Sequence, residues 1–270
     1  MNKTRIRDRS LLPFLSPWHG LVLLLTIILS LGIAEAQTGA QEGPNAFETL
    51  LTWTPFILRG FLMNLAMSFV SMFLGTFFGV LLGLALVSTS GLVRMFARFL
   101  MRIFRNTPGL VLLFAVILLV PYQISIFGYN VVIPPWVKAA VAFSFQVLAN
   151  IAEIVRGAII SIPEGQWESA ESLAFTRRQI LWMIILPQCV KRVLPSWMNW
   201  YAIMAVSTPI ASIVGVPDAV GNARQAMAAA GARQEFLIPF YGMILLLFFV
   251  YIYPIARWTS WLERKYAVKI

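Results

Sequence analysis

Apolar residues in this chain fall in long unbroken blocks, separated by short polar and basic stretches. Six blocks can be drawn, at residues 20–36, 60–88, 108–125, 136–160, 190–216 and 236–258. A helix needs about 20 apolar residues to cross a hydrocarbon layer of ~30 Å, and each block is near or above that length, the first being the shortest. The pattern therefore predicts an all-α integral membrane protein, since a backbone in lipid must satisfy its own polar groups. Composition agrees: 59% of residues are hydrophobic and 12% charged, with a mean hydropathy of +0.79. That is more apolar surface than a soluble fold of 270 residues buries.

Charge then orients the blocks. Lys3, Arg5, Arg7 and Arg9 precede the first; Arg94, Arg98, Arg102 and Arg105 lie between the second and third. Arg156, Arg177, Arg178, Lys191 and Arg192 flank the connection between the fourth and fifth, and Arg257, Arg264, Lys265 and Lys269 follow the sixth. Only Arg59, Lys138, Arg224 and Arg233 fall on the opposite side. The positive-inside rule places both termini in the cytoplasm, which an even number of crossings permits. The net charge of +10 is thereby topological, and no nucleic-acid partner is needed to explain it. Residues 91–106 carry arginine at helical spacing with Phe96, Phe99, Leu100 and Ile103 between, a pattern for a helix at the interface or a cytoplasmic helix extension, with anionic membrane lipid as a sufficient partner.

The blocks divide the chain into a basic cytoplasmic N-terminus (1–19), an apolar segment (20–36), an external linker (37–53), a transmembrane domain (54–262) whose cytoplasmic connection is 161–187, and a cytoplasmic tail (263–270). The segment 20–36 admits two readings. It is an extra transmembrane helix, or a signal peptide cut after Ala34-Glu35-Ala36. Sequencing the N-terminus of the membrane-extracted protein decides between them, a start at Gln37 marking cleavage.

Chemistry-bearing residues are few. One His and one Cys argue against a multi-ligand metal site and exclude a disulfide within the chain, and Cys189 reads as a packed small hydrophobe. No nucleophile, base and acid recur together, which removes the basis for an enzyme reading. Gly75, Gly79 and Gly83 repeat on one helix face, either as ordinary close helix packing or as a seam beside a moving pathway. Polar side chains inside the blocks are candidates for a substrate pathway, or for hydrogen bonds between helices: Asn64 and Ser68 in the second, Gln146 and Asn150 in the fourth, and Ser207, Thr208 and Ser212 around Pro209 in the fifth. Glu153 and Arg156, spaced i, i+3, read as a structural pair or a gate.

The connection after the fourth block is the most structured polar segment. Pro163 ends that block, and Glu164-Gly165-Gln166-Trp167-Glu168 opens a short helix with acid at its N-terminal end. Thr176 and Gln179 have the spacing of a capping box, which predicts a second helix running through Ile184 toward Pro187, so that the segment reads as helix, break, helix.

Here the sequence resembles the permease subunits of bacterial binding-protein-dependent ABC importers. Their cytoplasmic signature, Glu-Ala-Ala, three residues, Gly, nine residues, Ile, one residue, Leu-Pro, stands here as Glu168-Ser169-Ala170, Ala174, Ile184 and Leu186-Pro187 with its spacing intact. Arg105 to Pro108, Ala152 to Gly157, Pro163 to Glu168 and Ser212 to Val216 look like the polar amino-acid branch of that family, and the resemblance covers roughly 50–265. It implies the type I importer permease fold of five core transmembrane helices, here with an N-terminal apolar segment in addition. It also implies a cytoplasmic ABC ATPase dimer, a second permease subunit of identical or sister sequence, a periplasmic solute-binding protein, and location in the bacterial inner membrane. Glu164, Gly165, Trp167, Glu168, Ser169, Ala170, Glu171, Leu173, Ala174 and Phe175 would form the ATPase-coupling segment, with Trp167, Ala170, Leu173 and Phe175 supplying apolar contact. No Gly-rich phosphate loop with a lysine occurs, so ATP and magnesium would sit on the partner ATPase and this chain would bind no cofactor. An uncoupled channel or membrane scaffold also explains the spans, but leaves the Glu168 to Pro187 spacing without a cause. Ala174 departs from the pattern: if the turn there is left-handed, alanine costs about 1 kcal/mol.

Overall fold

The computed structural model describes residues 45–126 and 129–266, with Val22 and Thr26 in addition. The signal-or-span reading of 20–36, the tail after Tyr266 and most of the linker lie outside the described residues. The elements are α1 (Ala46–Leu86), α2 (Gly91–Asn106), α3 (Gly109–Leu119), a hairpin of β1 (Gln123–Ile126) and β2 (Tyr129–Val132), α4 (Pro135–Ile160), α5 (Glu164–Ser172), α6 (Arg177–Val214), α7 (Ala219–Ala229) and α8 (Leu237–Tyr266).

Three helices, α1, α4 and the stretch Gln234–Tyr266, are long and apolar enough to cross a membrane. Two bent pairs, α2 with α3 at 102° and α6 with α7 at 46°, bring the number to five if each pair is one span. The second block begins earlier than its hydropathy suggests, because Ala46 to Trp53 extend α1 by two turns into the expected linker. The third block departs further. Its eleven-residue α3 rises only about 16 Å, half a bilayer core, and the chain finishes in an antiparallel hairpin pairing Gln123 with Val132 and Ile126 with Tyr129. Pro121 denies a helix its hydrogen bond, and β-branched Ile124, Ile126, Val131 and Val132 favour strands. Among the described residues the fold is thus α-helical with one small hairpin.

The centre of the packing is the seam between α1 and α4, which run parallel. A Cβ built on Gly75 would lie 2.4 Å from the Cβ of Val147; on Gly79, 2.8 Å from that of Ile151; on Gly83, 2.8 Å from that of Val155. Each glycine also faces a carbonyl at 2.9 Å, those of Ser144, Leu148 and Ala152. The three glycines form a flat groove into which three β-branched side chains seat in register, so the backbones approach as closely as sterics permit. The repeat is thus a site of close helix packing.

Around that seam the remaining helices are tied by polar contacts. Trp197 of α6 donates through Nε1 to Thr76 Oγ1 at 2.7 Å and stacks on Tyr201, whose hydroxyl meets that of Tyr251 on α8. Lys138 is buried at the start of α4 and donates to the Val120 carbonyl at 2.7 Å, tying the end of α3 to it. Cys189 is buried, as its apolar surroundings in the sequence predict.

Gly79→Leu should prevent the seam from closing, and Gly79→Ala should destabilise by about 1–3 kcal/mol, the usual cost of overpacking. Thermal unfolding of the detergent-solubilised protein checks this, with a Tm several degrees lower expected for the alanine variant.

Candidate coupling surface and buried polar cluster

Helix α4 ends at Ile160 because Pro163 cannot extend it; α5 starts one residue later with Glu164 in its first turn. At its far end α5 closes with two bonds: the Phe175 amide donates to the Ala170 carbonyl at 3.2 Å, and the Ala174 amide to the Glu171 carbonyl at 2.9 Å. This is a Schellman cap, which requires a left-handed residue, and Ala174 supplies it at φ 59°. Alanine therefore occupies a conformation that suits glycine, and the strain foreseen for this position is present.

Thr176 then caps the next helix. Its hydroxyl accepts from the Gln179 amide, and the Gln179 side chain accepts from the Thr176 amide at 2.9 Å, completing the capping box. The second helix does not stop at Pro187. Residues Ile180–Ile185 form a π-helical turn, with the Leu186 amide bonded to the Leu181 carbonyl, and α-helix resumes through Ser207. The wider turn lets Pro187 sit within the helix without clashing against the preceding turn. The predicted break is thus a single one, at Ala174.

These caps fix which side chains of α5 face outward. Glu164, Gly165, Glu168, Ser169, Glu171 and Ala174 are exposed, and Leu173 is 73% exposed. Ala170 is 3% exposed and packs inward against the core, so its expected role as an outward apolar contact is corrected. Trp167 and Phe175 are half-buried against the same core, and Arg177 lies over the Trp167 ring at 5.8 Å. The outward surface is accordingly three carboxylates around one apolar side chain, Leu173. Two contacts anchor it to the membrane helices: Arg192 donates to the Ser161 carbonyl and hydroxyl, both at 2.9 Å, and Gln188 to Gln166 at 3.5 Å.

A second polar site lies inside the bundle. Asn64 of α1 is fully buried; its Nδ2 donates to Thr208 Oγ1 at 3.1 Å and Asp218 Oδ2 at 3.2 Å, while Oδ1 accepts from the Ala219 amide at 2.9 Å. Asp218 also accepts from the Gly221 amide at 2.7 Å, capping α7. One turn earlier, Gly60 lets the chain at 218–219 press on α1, since a Cβ there would stand 2.5 Å from the Asp218 carbonyl carbon. Asn222 fastens the same turn by donating to the Phe56 carbonyl at 2.8 Å. Of the predicted pathway residues, Asn64 and Thr208 meet here. Ser212 lies nearby and accepts from Arg224 at 2.8 Å, whereas Ser68 and Ser207 bond to carbonyls of their own helices. Gln146 and Asn150 stand apart, Asn150 donating to the Gln146 carbonyl at 2.8 Å and Gln146 lying against Gly109. Asp218 was not singled out by the sequence; its only signal is the Asp-Ala-Val-Gly order of a capped helix start. Glu153 and Arg156 pair side by side on α4, Arg156 Nε donating at 2.9 Å.

The model of the family described as the binding-protein-dependent transport system inner membrane component matches residues 75–268. The chain belongs to that family. Among its relatives, this permease is 32% identical to the probable amino-acid ABC transporter permease protein YckA of Bacillus subtilis over 79% of this chain and 90% of the relative. It is 34% identical to a putative glutamine transport system permease protein, GlnP, of Rickettsia bellii over 66% and 81%. A solved amino acid ABC transporter with histidines superposes with TM-score 0.69 at 26% identity, over 81% of this permease and 98% of that chain. The MetNI methionine transporter shares the fold, with TM-score 0.61 at 19% identity over 80% and 98%. The protein is a membrane-spanning transport component of the type I importer permease fold.

Ala174→Gly should relieve the turn and stabilise by up to about 1 kcal/mol, whereas Ala174→Val should destabilise by more than that. Unfolding midpoints of the two variants in the same detergent check the sign of each.

Proposed function

We propose that this permease provides the membrane pathway of an ATP-driven importer for a polar amino acid or an amino-acid-like solute. It pairs with an identical or sister permease, receives substrate from a periplasmic solute-binding protein, and is driven by a cytoplasmic ABC ATPase dimer that holds ATP and magnesium. The observation that carries this reading is α5, an exposed acidic helix with the family's spacing, held firmly at both ends. A short exposed helix of this kind suits a groove on a soluble partner. The amino-acid assignment draws on the relatives, whose names specify amino-acid, glutamine and cystine transport.

In this reading both termini and α5 face the cytoplasm, with the arginines of α2 and of the α4–α6 connection on that side. Closure of the ATPase dimer on ATP moves α5, and the permease pair exchanges an inward-open for an outward-open shape. The energy enters as the differential affinity of the ATPase dimer for the two shapes. Glu168 is the residue that meets a basic or donor group of the ATPase, and Leu173 enters its apolar floor. Asn64, Thr208 and Ser212, with Ser68, Ser207, Gln146 and Asn150 elsewhere in the spans, supply polar groups along the path. The mutual hydrogen bonds of Asn64, Thr208 and Asp218 are exchanged for those of a zwitterion when it passes. Glu153 and Arg156 act as a structural pair closing the end of α4.

Glu168→Arg tests the coupling. In proteoliposomes containing the full transporter and its binding protein, uptake of labelled amino acid should fall roughly tenfold or more while the complex still assembles and ATP hydrolysis persists. Unchanged uptake by an assembled complex would overturn the assignment of α5.

A further inference from the structure

Helix α2 has three distinct faces. Ala97 and Met101 are buried against Leu86, Ala149 and Ala152, which seats the helix on the ends of α1 and α4. On one flank Arg94, Arg98, Arg102 and Arg105 follow one another at spacings of four, four and three residues, and they wall a cavity of about 500 Å³ whose other side carries Glu153 and Arg156. On the opposite flank Leu92, Phe96 and Leu100 join Phe78, Leu81 and Leu148 around an apolar groove of about 560 Å³. The bend of 102° between α2 and α3 sets α2 across the direction of the following membrane segment. An apolar flank and a basic flank on such a helix put it at the boundary between hydrocarbon and headgroups.

The arginine cavity is heavily unbalanced. It holds five guanidinium groups and one carboxylate, and that carboxylate is already bonded to Arg156. Arg94 reaches the Ser88 carbonyl only at 3.5 Å, and Arg98, Arg102 and Arg105 make no ion pair among the described residues. The floor, in contrast, is apolar, formed by Leu86, Val87 and Ile160. A site with a positive rim and an apolar floor, opening at interface depth, matches a molecule with an anionic head and a hydrocarbon body.

We propose that this cavity binds the phosphodiester headgroup of an anionic phospholipid, with its first methylene groups over Leu86, Val87 and Ile160. Guanidinium forks suit phosphate oxygens, and a lipid supplies the charge that the cavity lacks. A free inorganic anion would satisfy the arginines and leave the floor in water. Because α2 connects α1 to α3 and rests on the end of α4, the bound headgroup would fasten the permease at the membrane surface beside the α4–α5 turn.

The full chain, reconstituted in nanodiscs of phosphatidylcholine with increasing phosphatidylglycerol, tests this through native mass spectrometry of retained lipid. Phosphatidylglycerol should be retained in preference to phosphatidylcholine, and Arg98→Gln with Arg102→Gln should weaken its retention roughly tenfold. Both side chains are exposed, so the variant should fold; Arg98→Lys with Arg102→Lys, which keeps the charge, should recover most of the binding. Arg264→Gln with Lys265→Gln, removing equal charge elsewhere, should leave retention unchanged. Equal retention of the two lipids, or an equal loss in the Arg264 and Lys265 variant, would overturn the site. Displacement of phosphatidylglycerol by inorganic phosphate at equal concentration, with the same arginine dependence, would reassign it to a free anion.

Discussion

Everything in this molecule is referred to the contact between α1 and α4. Lipid offers no hydrophobic incentive for two apolar helices to associate, so they hold together by close packing and by the few hydrogen bonds they share. Gly75, Gly79 and Gly83 make that packing possible by presenting bare backbone to Val147, Ile151 and Val155. Because the two helices run parallel, the chain between them must return across the bilayer, and α3 with its hairpin makes that return in an irregular way. The same parallel arrangement brings the C-terminal ends of both helices to one side, and with them the starts of α2, which follows α1, and of α5, which follows α4.

The buried cluster at Asn64 is fastened to this framework from the other end. Gly60 lets the α6–α7 turn press directly on α1, and Asn64 joins Thr208, Asp218 and the Ala219 amide in one hydrogen-bonded unit. An unpaired carboxylate or carboxamide at this depth would be costly, so each partner holds the others in place. The turn between α6 and α7 is thereby held by side-chain hydrogen bonds, although no regular ladder runs through it.

The sequence was most legible where local chemistry decides the outcome. The Thr176 and Gln179 capping box, the termination at Pro163, the seam of glycines and the left-handed demand at Ala174 all follow from short-range sterics and hydrogen bonding, and each appears where the residues indicate. Legibility failed where tertiary contacts decide. Hydropathy alone does not distinguish an 18-residue apolar block that crosses as one helix from one that divides into α3 and a hairpin. Nor does it reveal that Ala170 turns inward while Leu173 turns out, because that depends on where α5 rests against the core. Asp218 was invisible for a related reason: its role as a cap is local, but its burial against Asn64 joins residues 154 apart in the chain. Pro187 looked like a helix end, since the π-helical turn that accommodates it has no simple sequence signature.

That turn has a mechanical consequence. From Arg177 to Val214 the chain runs without a break, passing Pro187 and Pro195 and tightening only at Thr208. Thirty-eight residues of mostly α-helical pitch span roughly 50 Å or more. This helix joins the side of the molecule beside α5 to Thr208 in one continuous piece. Beyond it, Gly215 at φ 81° starts the turn to α7. A displacement of the near end of α6 would therefore reach the contact of Asn64 with Thr208 through continuous helix, and the π-helical turn, Pro187 and Pro195 are the points at which that helix bends if it bends at all.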